Sequence, residues 1–214
     1  MERTPLHIKT NPFQVYKSSS ILEHQEDLVK NCKIIYENIK KDLEACNNGK
    51  DISSTTWVYD KYNFWPYAMN VDPYFINLWQ DLVEVITAHS PKDAKYALVQ
   101  SWLNYDTYDS IESNLGRHNH LCALHGYIAI EPQLTKTVFD DWEVVNEVGN
   151  IYVGLGNLLH GVKNTGKYSE PRITIAYDVI YSPEVLDFES MGKPPSEMVG
   201  TNPGHNHWIP LLLN

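Results

Sequence analysis

From Tyr96 to Val179 the chain is a succession of short runs with strand period, cut by Gly, Asn or Pro, and this pattern narrows the fold most. The clearest run is Arg172 to Val179. There Ile173, Ile175, Tyr177 and Val179 alternate with Arg172, Thr174, Ala176 and Asp178. Successive strand residues face opposite sides, so one face is apolar and the other carries an arginine and a hydroxyl. Tyr96 to Leu103, Leu124 to Ile130, Thr137 to Val145, Ile151 to Leu155 and Asn157 to Val162 are further β-like runs. Glu131-Pro132 stops one of them, Gly154 and Gly156 interrupt the last pair, and Asn146 to Asn150 reads as a tight hairpin loop. Many short strands with Gly turns point to a β-sandwich or barrel.

The first part of the chain reads differently. Leu28, Cys32, Ile35, Ile39 and Leu43 recur at three- and four-residue steps, which predicts an amphipathic helix over 21–43. Phe75, Leu78, Trp79, Leu82, Val85 and Ile86 predict a second over 73–89, with Asp72 as cap and Pro73 at its first turn. Both should brace one sheet. Phe13 and Val15 can begin an edge strand. The aromatic stretch 52–71 shows no helical stripe and reads as a loop or short strand; its rings at 57–67 can wall a substrate site. The segment 104–116 reads as a polar loop, and 181–214, with five prolines, as mostly irregular. The expected organisation is one domain over 1–214: a core at 96–180, helical support at 21–90 and an irregular tail at 181–214.

Composition sets the outer bounds. A formal net charge of -10 opposes bulk nucleic acid as a partner, since phosphates call for basic surface. No apolar run reaches the length of a membrane span. The start MERTPLHIKT lacks the apolar region of a signal peptide. Cys32, Cys46 and Cys122 have neither ligand spacing nor an even count, so free cytosolic thiols are expected. The Pro-rich tail and abundant aromatics suggest a homodimer.

The chemistry is concentrated between Trp102 and Asp178. His118 and His120 share a face if their segment is extended, and His160 ends a later β-like run that can meet them. Imidazole is a good ligand for Fe, Zn, Cu or Ni. Arg172 heads an alternating strand beyond His160, and an arginine in a cavity wall is a fork for a carboxylate. Its ordinary alternative is an ion pair with Asp140, Asp141 or Glu170. His125 has the opposite parity from His118 and His120; the turn between can reset it, making His125 a reserve ligand or a substrate contact. Gly204-His205-Asn206-His207 is a second His-rich tract. A phosphate-binding loop and a nucleophile elbow are absent, and a strand after His118-Asn119-His120 does not suit an HNH nuclease.

The ordered set Trp102-Leu103-Asn104, Gly116-Arg117-His118-Asn119-His120, Gly126-Tyr127-Ile128-Ala129-Ile130, Phe139-Asp140-Asp141, Gly149-Asn150, Leu159-His160-Gly161-Val162 and Arg172-Ile173-Thr174-Ile175-Ala176 resembles a known family. It is similar to the iron(II)- and 2-oxoglutarate-dependent oxygenases with a prolyl-hydroxylase-like core, in the HxH form found in bacteria and phages. The resemblance implies a mainly β fold with bracing helices, a double-stranded β-helix or cupin-like jelly roll. It implies Fe(II) with His118 and His160 as ligands, to which we add His120 as the third, and 2-oxoglutarate gripped by Arg172 with Thr174, with Asn104 and Tyr127 lining its pocket. The family's commonest pattern has aspartate where His120 stands, so Asp106, Glu131 or Asp141 are alternative third ligands. The implied reaction hydroxylates a small molecule or peptide side chain in the cytoplasm and forms succinate and CO2. Its competitors are a three-histidine cupin dioxygenase without 2-oxoglutarate and a non-catalytic jelly-roll binding or structural protein.

Overall fold

The computed structural model describes residues 13–46, 63–114, 116–120, 122–139, 142–182 and 208–213. It is a jelly roll of two antiparallel sheets braced by helices on one side. The larger sheet has the order β1 (Phe13–Lys17), β6 (Asn150–Leu155), β3 (Leu124–Glu131), β8 (Arg172–Ser182), β2 (Tyr96–Asp106), β9 (Ile209–Leu212). The smaller has the order β5 (Trp142–Val145), β4 (Thr135–Phe139), β7 (His160–Asn164).

The alternation along β8 divides the larger sheet into two chemistries. Its outer face receives α1 (Ser19–Cys46), α2 (Phe64–Met69) and α3 (Tyr74–Ala88). Three contacts define that side: Trp65 Nε1 donates to Ser101 Oγ at 2.9 Å, Tyr181 Oη donates to the Ile86 carbonyl at 2.7 Å, and Tyr36 stacks on Tyr105 at 4.4 Å. The periodic face of α1 explains its docking: Leu28, Cys32, Ile35 and Ile39 are fully buried. The inner face of the sheet, turned toward the smaller sheet, is polar. Along it the β2–β8 register sets Asp106 opposite Arg172, Asn104 opposite Thr174 and Trp102 opposite Ala176, and the β3–β8 register sets His125 opposite Asp178.

Several expectations need correction. Asn104 and Asp106 belong to β2, and a short helix, α4 (Tyr108–Asn114), follows where a loop was expected. Seven residues hold too few periods for an apolar stripe to show. Part of the aromatic stretch is helical, as α2, capped by Asn63, whose side chain accepts from the Trp65 amide. The segment after Val145 is no hairpin: it carries the chain from the smaller sheet to the larger, because β5 pairs with β4 and β6 pairs with β1 and β3. Asn146 fixes that crossing, donating from Nδ2 to Thr135 Oγ1 at 2.8 Å. The tail returns as edge strand β9 against β2, where Pro210 is tolerated because an edge strand can spare one donor. Residues 57–62, Cys46's side chain and Gly204–His207 lie outside what is described. No described helix is long and apolar enough to cross a membrane.

Candidate metal centre

Four imidazoles meet between the sheets. His118 forms a two-residue bridge with His160, each amide donating to the other's carbonyl at 2.9 Å. His120 is tied to the turn after β6, its amide donating to the Gly156 carbonyl at 2.8 Å. That approach requires glycine, since a Cβ on Gly156 would lie 2.5 Å from both the carbonyl oxygen and Sγ of Cys122. His160 heads β7 and faces Phe139 of β4. One potential ligand atom from each of His118, His120 and His160 lies within 4.8 Å of the others. His120 and His160 are buried and His118 is half-buried beside exposed Arg117 and Asn119, so the centre opens toward solvent at His118.

His125 also joins the cluster. The bend at Cys122 and Ala123 resets its parity, and its ring stacks on His120 at 3.9 Å and on His160 at 4.4 Å. Trp102 covers this group, 5.7 Å from the His120 ring and 6.1 Å from the His125 ring.

The second atom of each imidazole is spoken for. Nδ1 of His118 donates to the Gly116 carbonyl at 3.0 Å, and Nδ1 of His160 to the Leu158 carbonyl at 3.1 Å. Nδ1 of His120 and of His125 both donate to Asp178, at 2.9 and 2.8 Å on separate carboxylate oxygens. A carbonyl or carboxylate can only accept, so each of these rings carries a proton on Nδ1, which leaves Nε2 as its potential ligand atom. This is how metal-binding histidines are commonly oriented from behind. Nε2 of His120 is buried without any hydrogen-bond partner, an orphan acceptor at the middle of the cluster. The donor set therefore fits a transition metal such as Fe(II).

Burial disfavours the charged forms of His125 and His160 beside the Asp178 anion. Burial alone would raise the Asp178 carboxyl, but the hydrogen bonds from His120 and His125 outweigh it and hold the group well below the usual carboxylate range. Burial pushes the His160 imidazole down to about 3, and the neighbouring His125 adds to the effect. Burial likewise lowers His125, against its bond to Asp178. Asp178 did not stand out in the sequence as a site residue. The available signal was its parity with Arg172 and Thr174 on β8.

Two of the alternative acids, Glu131 and Asp106, are placed elsewhere. Glu131 Oε2 accepts from Gln25 of α1 at 3.0 Å. Asp106 is bonded to Arg172, Nη1 to Oδ2 at 3.0 Å, with both side chains almost fully buried. Asp106 is thus the described partner of Arg172 in place of Glu170; Asp140 and Asp141 lie outside the described residues. Asn104 Nδ2 donates to Thr174 Oγ1 at 3.1 Å, two residue pairs along from that ion pair and next to it on the inner face. Tyr127 spans the two sheets, donating toward Thr137 Oγ1 at 2.7 Å or Asn146 Oδ1 at 2.8 Å, and burial raises its phenol so that it stays a neutral hydroxyl. Arg172 keeps capacity for a second anion: its Nε is buried with no partner. The residues fit a carboxylate-bearing co-substrate, in competition with Asp106.

No protein-family model matches the chain, and no curated protein does. Among solved structures, the chain is similar to full-length T7H of Neurospora crassa, determined in complex with alpha-KG. That likeness has a TM-score of 0.51 and 12% identity, over 84% of this chain and 80% of that one. IDO from Bacillus thuringiensis gives a TM-score of 0.37 at 12% identity over 52% and 59%. The non-heme alpha ketoglutarate dependent epimerase SnoN from nogalamycin biosynthesis gives 0.33 at 12% over 61% and 70%. The last two overlap too loosely to carry an argument, and the first is a likeness of fold.

Proposed function

We propose that this protein is an Fe(II)-dependent oxygenase with 2-oxoglutarate as co-substrate. Nε2 of His118, His120 and His160 would hold the metal, and Arg172 the far carboxylate of the co-substrate. One observation carries the reading. Three imidazoles from two segments converge within 4.8 Å, Nδ1 of each is bonded to an oxygen, and the buried Nε2 of His120 has no hydrogen-bond partner. When bound, iron with 2-oxoglutarate supplies oxidising chemistry, in which dioxygen is consumed, succinate and CO2 leave, and a substrate C–H bond gains oxygen.

The chain's own residues divide the remaining work. Three neutral histidines leave the metal one charge more positive than two histidines and a carboxylate would. Asp178 offsets that charge from behind, through His120. Thr174 and Asn104 present a hydroxyl and an amide beside Arg172, and Tyr127 closes the space between the sheets with a hydroxyl that stays protonated. Trp102 shields the stacked rings from water. The prime substrate in this reading is a small molecule or a peptide side chain, entering on the half-buried His118 side. A second reading, a three-histidine dioxygenase that uses no 2-oxoglutarate, is favoured by a single observation: Arg172 is already paired with Asp106.

Anaerobic Fe(II) titration tests the metal assignment. The wild type should take up one equivalent. His118→Ala, His120→Ala and His160→Ala should each weaken binding by roughly a hundredfold or more, because two imidazoles hold a divalent ion poorly. Unchanged binding after His120→Ala would remove the three-histidine centre.

A further inference from the structure

We propose that Asp106 is a built-in competitor for Arg172, an internal carboxylate holding the guanidinium that the co-substrate must grip, so that co-substrate enters by exchange. This rests on the 2-oxoglutarate reading above. Asp106 is the last residue of β2 and Arg172 the first of β8, and the register sets them directly opposite on the inner face. Their contact is made by one prong only. Oδ2 meets Nη1 at 3.0 Å, while Oδ1 of Asp106 and Nε of Arg172 are both buried without partners. An arginine and a carboxylate that served only to anchor two strands would gain most from the bidentate fork. Here one carboxylate oxygen and one guanidinium nitrogen are unmet, which is costly in a dry interior.

The unmet groups point to an exchangeable arrangement. Arg172 has a free donor for an incoming carboxylate, and Asn104 and Thr174 form the next pair on the same face, two register positions away. Two carboxylates around one guanidinium in a low-dielectric space would leave a net buried negative charge. The external carboxylate therefore gains Arg172 at the expense of Asp106. Burial supports this by weighing against the charged form of Asp106 more than Arg172 favours it. The consequence is selectivity: a ligand with a single carboxylate at the metal end offers nothing in return for displacing Asp106.

The test is 2-oxoglutarate binding to the Fe(II)-loaded full chain under nitrogen, comparing wild type with Asp106→Asn. Asp106→Ser carries the same comparison should the Asn variant not fold. Removing the internal anion should tighten 2-oxoglutarate binding by roughly tenfold or more while Fe(II) affinity stays the same. Adding Arg172→Leu to either variant should abolish the gain. Equal or weaker binding in both Asp106 variants, with wild type binding normally, would overturn the competitor role and leave the 2-oxoglutarate reading standing. Absence of binding in wild type and variants alike, with Fe(II) retained, would overturn both and favour the second reading.

Discussion

Asp178 receives a proton-bearing Nδ1 from His120 on one oxygen and from His125 on the other. No neutral side chain of its size can accept both. Asparagine offers one acceptor and one donor, so one imidazole would have to reverse its tautomer or lose its bond. Asp178→Asn should therefore loosen Fe(II) binding by about 10–100-fold, the usual cost of removing the group behind a metal-binding histidine. Competition with a chelating dye would measure it, and an unaltered affinity would mean that Asp178 is there only for packing. At this scale the sequence was partly legible. The spacing of His118 and His120, the distant His160 and the strand headed by Arg172 suffice to single those residues out, because period-two alternation states which side chains share a face. His125 stayed ambiguous because the bend at residues 122–123 changes parity by an amount that spacing cannot give. The pairing of Asp106 with Arg172 was hidden for another reason. It depends on the register of two strands distant in sequence, and Asp106 lay in a stretch that read as loop.

Among the elements, β8 joins the outer and inner chemistries, and Gly126 of the adjacent β3 shows how tightly it is seated. Tyr177 of β8 crosses over Gly126 to donate to the Tyr152 carbonyl of β6 at 2.8 Å. A Cβ on Gly126 would collide with that carbonyl and with the Tyr177 hydroxyl. Gly126→Ala should cost about 1–3 kcal/mol by overpacking, seen as a lower melting temperature of the metal-free protein. A melting temperature equal to wild type would show that the outer layer yields more easily than the contacts imply. The long helices and central strands were readable because their apolar periods run for several turns or alternations. The short α2 and α4 and the edge strand β9 were not. They hold too few residues to show a period, and their placement comes from tertiary pairing such as Ala97 with Leu211.

At the scale of the whole molecule, the two sheets enclose a polar interior with a histidine cluster at one place and a buried arginine at another. Helices α1 to α3 cover the outer face, so the larger sheet is apolar outside and polar inside. An Asp–Arg pair and four histidines are expensive contents for so small a core, and a polar interior of this kind is readily understood as a site for a metal and an anionic ligand. The most direct measurement is anaerobic titration of the Fe(II) protein with 2-oxoglutarate, comparing wild type with Arg172→Leu. Wild type is predicted to bind, and Arg172→Leu to bind at least roughly thirtyfold more weakly, the equivalent of about 2 kcal/mol, with Fe(II) still retained. Equal affinity in the two proteins, or no binding by wild type, would contradict the account.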